Sequence, residues 1–134
     1  MIAELHDVLA RQRDAAVTLE GRLRAIELLL AAGEPRFLAF AVDEANDASE
    51  RLAALELTRV LTLTTIGAPP DVSASEVADA VGGDAALPFA AVVDELRAVV
   101  ARVSVRRERV RSLLAIAQAE GEQQIALAGA AQLV

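Results

Sequence analysis

The side chains that most often do covalent or acid–base work are nearly absent from this chain. It holds one histidine, His6, and no cysteine, lysine, tyrosine or tryptophan. Without cysteine there is no disulfide, no thiolate metal ligand and no thiol nucleophile. Glu4-Leu5-His6 departs from the Glu-x-x-His spacing with which di-iron bundles hold metal, and the second motif such a site needs is missing. A catalytic His6 would need an orienting partner within reach; so close to the terminus, a solvated side chain is the expectation. Ser73, Ser75 and Ser112 have no activating base in their sequence context. Gly82-Gly83-Asp84 and Gly67-Ala68-Pro69-Pro70 are not phosphate loops, because the Gly-x-x-x-x-Gly-Lys pattern requires a lysine. No enzyme activity, no metal site and no cofactor is expected.

Charge narrows the partners. The net charge is −7, which disfavours a general affinity for nucleic acid or for an anionic membrane. One stretch is locally basic: Arg97, Arg102, Arg106, Arg107, Arg109 and Arg111, interleaved with Asp94, Glu95 and Glu108. A solvated, partly paired face is the first reading, with Asp43, Glu44, Asp47 and Glu50 as the expected carboxylates. A site for an acidic partner is the second. Nucleic acid is the third and weakest, since no aromatic is placed to stack a base. The longest uncharged runs, 60–70 and 123–134, are near a dozen residues. A transmembrane helix needs about 20, so membrane insertion is not expected. Met1-Ile2-Ala3-Glu4-Leu5-His6-Asp7 has no basic region followed by an apolar run, unlike a secretory leader. A soluble, cytoplasmic protein is expected.

The chain has 134 residues, one domain's worth, and 54% are apolar, many of them alanine. Alanine favours helices that approach closely. The spacing predicts a first helix over 2–32. Ile2, Leu5, Leu9, Gln12, Ala16, Leu19, Leu23, Ile26 and Leu30 fall on an unbroken three-four series with one polar member. Val8, Ala15 and Leu29 make a second stripe, as a helix with two neighbours requires. Gly33 suits a C-cap, and Pro35 suits a first helical turn. A second helix is predicted over 35–66, with Leu38, Ala41, Ala45, Ala48, Leu52, Leu55, Arg59, Thr62 and Ile66 as its seam. So short a connection predicts an antiparallel hairpin. Position 59 then lies level with position 8, and Arg59 either meets Gln12, Asp7 or Glu4 in a polar layer or snorkels out to solvent.

Residues 67–86 read as a connector with one short helix, opened by the capping-box pair Ser73 and Glu76 and stopped by Gly82-Gly83. A long last helix follows over 87–134. Its seam is Phe89, Val92, Leu96, Val99, Val103, Val110, Leu113 and Ala117. The fold class is therefore all-α: an elongated antiparallel three-helix bundle, with a short extra helix in the connector and a long C-terminal helix. Helices of 31 and about 45 residues span roughly 46 and 67 Å. With level bottoms, the last helix overhangs from near Gln118. The overhang carries Ile125, Leu127, Leu133 and Val134, with Gly121 and Gly129 interrupting it. One reading is a frayed, alanine-rich terminus; the other, which apolar residues left uncovered by the bundle favour, is a segment that packs on a partner.

Leu5-x-x-Val8-Leu9-x-x-Gln12-Arg13 and Leu52-Ala-Ala-Leu55-Glu56-Leu-Thr-Arg59, with the order and lengths of the segments around them, resemble the FlgN-type flagellar export chaperones over nearly the whole chain. In that family asparagines often precede a Leu-Leu pair in the last helix; here Arg106 to Arg111 precede Leu113-Leu114. The resemblance implies a cytoplasmic chaperone without ATPase activity. It would hold the helical C-terminal parts of hook-associated proteins, prevent their premature assembly and deliver them to the export gate. It also implies a client site on the C-terminal part of the last helix: Leu113, Leu114, Ala117, Ile125, Leu127 and Leu133 here. The alternative from the residues alone is a structural helical module that self-associates or binds another helical partner, its tail pairing with its own copy.

Overall fold

The structure, a computed structural model, describes residues 2–69 and 71–133, with side chains described as far as 121. Among these residues the fold is an all-α bundle: α1 (Ile2–Ala32), α2 (Leu38–Thr65), the short α3 (Ala74–Ala80) and α4 (Ala86–Leu133). Two 3-10 turns, Pro35–Phe37 and Gly83–Ala85, lead into α2 and α4. The second helix thus starts three residues later than its spacing predicts, because the chain tightens through Pro35 before it settles into α geometry.

The middle helix is α1. Leu5, Leu9, Gln12, Ala16, Leu19, Leu23 and Ile26 of its seam are buried, and so are Val8 and Ala15 of its second stripe. The two stripes serve two neighbours. Gln12 meets Glu56 and Arg22 meets Glu44, so α2 runs antiparallel to α1 in the register that the turn at Gly33 dictates. Arg13 meets Glu95 and Glu20 meets Arg102, so α4 runs parallel to α1. The backbones of α2 and α4 nowhere come within 8 Å of each other, Cα to Cα, among the described residues. α1 is thus the common partner, and α2 and α4 flank it.

Helix ends follow local chemistry. After α1, Gly33 adopts φ +66°, Glu34 N–H donates to Leu29 O at 3.1 Å and Gly33 N–H to Leu30 O at 3.3 Å. After α2, Gly67 adopts φ +80°, Ala68 N–H donates to Leu63 O at 2.9 Å and Gly67 N–H to Thr64 O at 3.1 Å. Both are Schellman motifs, which satisfy the last carbonyls and place a left-handed residue where glycine adopts it without strain. α3 opens with the predicted capping box: Ser73 Oγ accepts from Glu76 N–H at 3.1 Å, and Ser73 N–H donates to Glu76 Oε2 at 2.9 Å.

The core falls into two clusters. The upper one packs Ala16, Leu19, Leu23 and Ile26 of α1 on Ala41, Ala45 and Ala48 of α2 and on Val99, Val103 and Val110 of α4, with Leu114 half-buried at its top. The alanines bury little area each, but they let α2 lie close to α1. The lower cluster joins Leu5 and Leu9 to Leu63, Phe89, Val92 and Val93. Full burial of a Leu, Val or Phe contributes about 2 kcal/mol, so Phe89 and its neighbours anchor this end. Val72, Val77 and Val81 of the connector pack against the same cluster. The connector is thus a lid on the base of the bundle rather than a bare link. His6 lies at this end as well, its ring 6.3 Å from that of Phe89 on α4. It is half-buried and packed, not the solvated terminal residue that its position suggests.

Candidate functional site

α4 outruns the helices it packs on. Its 48 residues span about 72 Å and the 31 of α1 about 46 Å. Among the described side chains the last of α4 packed on the core is Leu114, next to the end of α1 where Leu29 and Leu30 also contribute. From Ala115 to Gly121 no residue is buried, and Ile116 is 56% exposed. Among the described residues the uncovered part therefore begins before Gln118, because the Arg13–Glu95 and Glu20–Arg102 pairs set the end of α1 at Ala32 level with Leu114. Of the residues expected to hold a client, Leu114 is half-buried against the core, while Leu113 and Ala117 are half-buried beside it. Ile125, Leu127 and Leu133 lie outside the described residues as far as their side chains are concerned; the helix itself continues to Leu133.

A polar layer crosses the bundle below this. Gln12 is 4% exposed, and its Nε2 donates to Glu56 Oε2 at 2.8 Å. Arg59 grips the same carboxylate through Nε at 3.0 Å and Nη2 at 2.6 Å. Arg59 therefore belongs to the layer without touching Gln12, Asp7 or Glu4; Glu56 connects the two. The Arg59 guanidinium holds the Glu56 carboxyl below the usual glutamate range, aided by the Gln12 amide, while partial burial opposes this. Glu56 in turn raises Arg59. Gln12 Oε1 is buried and finds no donor among the described residues. The layer ties α1 to α2 through Glu56, and Ser49, Asp71 and Ser73 line the same cavity.

Three arginines of α4, Arg102, Arg106 and Arg109, turn to α1; Arg107 bonds Ser49 of α2 and Arg111 pairs with Glu108 of its own helix. Arg13 reaches Glu95 at 2.7 Å, Arg102 reaches Glu20 at 2.7 Å, and Glu27 receives Arg106 at 2.9 Å and Arg109 at 3.9 Å. Positions 13, 20 and 27 on α1 and 95, 102 and 109 on α4 each step by seven. This is the ladder of flanking charges that parallel coiled-coil helices use to fix register. Of the four carboxylates expected as partners, Glu44 alone forms an ion pair among the described residues, with Arg22 of α1 at 2.7 Å. The helices are parallel along α1 and α4, and that places α1 carboxylates nearer to the arginines than those of α2.

Between α2 and α4 runs a groove. Its lower part, about 520 Å³, is walled by Leu52, Ala53, Leu96 and Val100 and edged by the Glu56–Arg59 pair. Its upper part, about 240 Å³, lies among Val42, Ala45, Val110 and Leu114. Ser49 and Arg107 line both parts, and the 3.4 Å hydrogen bond from Arg107 Nη2 to Ser49 Oγ bridges them.

No family model, curated protein or solved structure matches this chain. Among the described residues no cluster of His, Cys, Asp and Glu is arranged to hold a metal, and no helix is long and apolar enough to cross a membrane.

Proposed function

We propose that the chain is a non-catalytic export chaperone of the FlgN type, which holds the helical C-terminal part of a hook-associated protein on its own C-terminal helix. The observation that carries this reading is the run of α4 to Leu133, past Leu114, its last core contact among the described side chains. A helix that runs past the end of the helix it packs on is a surface on which another amphipathic helix can pack. The order of segments supports it as well, from the hairpin through the capped connector helix to one long final helix. On this reading Leu113 and Leu114 begin the client site, and Ala117, Ile125, Leu127 and Leu133 continue it. The protein works in the cytoplasm and hands its client to the export gate.

The test is amide exchange with and without a peptide from the C-terminal helix of a hook-associated protein. Added peptide should slow exchange across 113–133 and leave the α1–α2 hairpin unchanged. Exchanging Ile125 and Leu127 for serine should abolish that effect and leave the melting temperature where it was. Exchange across 113–133 that ignores the peptide rejects the client site. A lowered melting temperature in the double variant places the tail in the core instead.

A further inference from the structure

The groove between α2 and α4 is the empty fourth position of a four-helix arrangement. Leu52, Leu96, Val42 and Leu114 along it are half-buried, and Val100 is 43% exposed, so its walls are apolar and incompletely covered. Arg107 stands at its centre. It makes no ion pair among the described residues; its hydrogen bond is to Ser49.

We infer that this groove receives the C-terminal overhang of α4 from a second copy of the chain, with the two copies exchanging tails about a two-fold axis. Length is the first argument. Along α4 the groove extends from Leu96 to Leu114, about 27 Å. The overhang past Leu114 extends to Leu133, about 28 Å. Two copies set top to top, their α4 helices antiparallel, fill each other's grooves end to end and leave no overhang.

Charge is the second argument. In that arrangement the position seven residues past Leu114 on one tail comes level with Arg107, which lies seven residues before Leu114 on the other copy. That position is Gly121, and Glu120 and Glu122 flank it. No arginine follows Arg111, so Glu120 and Glu122 are the only charged side chains of the tail. They come level with the part of the groove lined by Arg107 and Arg111, while the lower part balances Glu56 and Asp71 against Arg59. The interface is isologous and closed, as a two-fold exchange requires. The inference is independent of the client reading, since no client enters it; where both hold, client and second copy compete for one tail.

Sedimentation of the full chain over a range of concentrations tests this. The chain should pass from monomer to dimer as concentration rises. Arg107→Glu should weaken the dimer about tenfold or more, and so should Glu120→Arg with Glu122→Arg. Mixed in equal amounts, the two variants should dimerise again, because every tail then meets a groove of opposite charge. That rescue also shows that neither variant is misfolded. A monomer at every concentration overturns the proposal, whether its tail exchanges freely or is protected against its own groove. A dimer that ignores Arg107→Glu, or a mixture that fails to recover, overturns it equally.

Discussion

Arg102 on α4 holds Glu20 on α1 across 2.7 Å, although 82 residues separate them in the chain. Arg13 and Glu95 repeat the contact one heptad below, at the same separation in sequence. The constant offset fixes the parallel register of the two longest helices, because a slip by a heptad would set Arg13 against Arg102 or Glu20 against Glu95.

The ladder can be read energetically. In the Glu20–Arg102 pair the arginine is 56% exposed and free to be solvated, so Glu20→Ala should cost about 0.5 kcal/mol. Glu27 is different: its side chain is 15% exposed and serves two arginines. Glu27→Ala should cost about 2 kcal/mol, since it leaves Arg106 partly buried without its carboxylate. Urea unfolding of the two variants should separate these values, and a double-mutant cycle of Glu27 with Arg106 should show coupling that the Glu20–Arg102 cycle lacks.

Gln12 occupies a position in the α1 seam where every neighbour in the series is apolar. Its amide makes one hydrogen bond and buries a second polar atom with none. Gln12→Leu should therefore stabilise the fold by about 1 kcal/mol, while Gln12→Ala should destabilise it by about as much through the cavity it leaves. Chemical denaturation measures both. Glu56 keeps its ion pair with Arg59 in either variant.

Stability should fall in acid partly through Glu56. Its folded pKa lies below the ordinary 4.5, so the unfolded chain binds a proton more readily. The contribution is therefore complete above the unfolded value and is lost as the pH drops from about 4.5 down through the lowered one. Glu56→Gln should be less stable than the natural chain at neutral pH and should close the gap below that range. Urea midpoints of the two proteins along a pH series read this directly.

Val103 is 4% exposed at the contact of α4 with the upper cluster. Val103→Asp buries a charge with no partner and should unfold the protein, whereas Val103→Ala should cost about 2 kcal/mol and leave the helical circular dichroism intact.

Much of this architecture was legible from spacing. The seams of α1 and α4, the turn at Gly33 and the Ser73–Glu76 cap follow from rules that act over a few residues, and the structure keeps them. The hairpin register followed from the turn and placed Arg59 near Gln12. What joins the two, Glu56, was hidden because its position lies off the seam, and only the side-chain geometry of an antiparallel pair brings it across. The ladder was present as sevenfold steps in both helices. It has no local signal, because its arginines pair with the helix parallel to them rather than with an acidic run nearer in sequence, on α2. The groove between α2 and α4 had no signal at all: how far apart two helices stand depends on how a third is packed between them.

The central place of α1 has a kinetic consequence. Its contact with α2 closes through a short turn at Gly33, but its contact with α4 must bring together segments 82 residues apart. Loop closure makes the second step the slower one in entropy. The α1–α2 hairpin should thus form early and offer one face of α1 as a template, with α4 docking late. A chain emerging from the ribosome would display that unfilled α1 face until residues beyond Leu114 had been made, and its apolar seam would stay open to other helices during that interval.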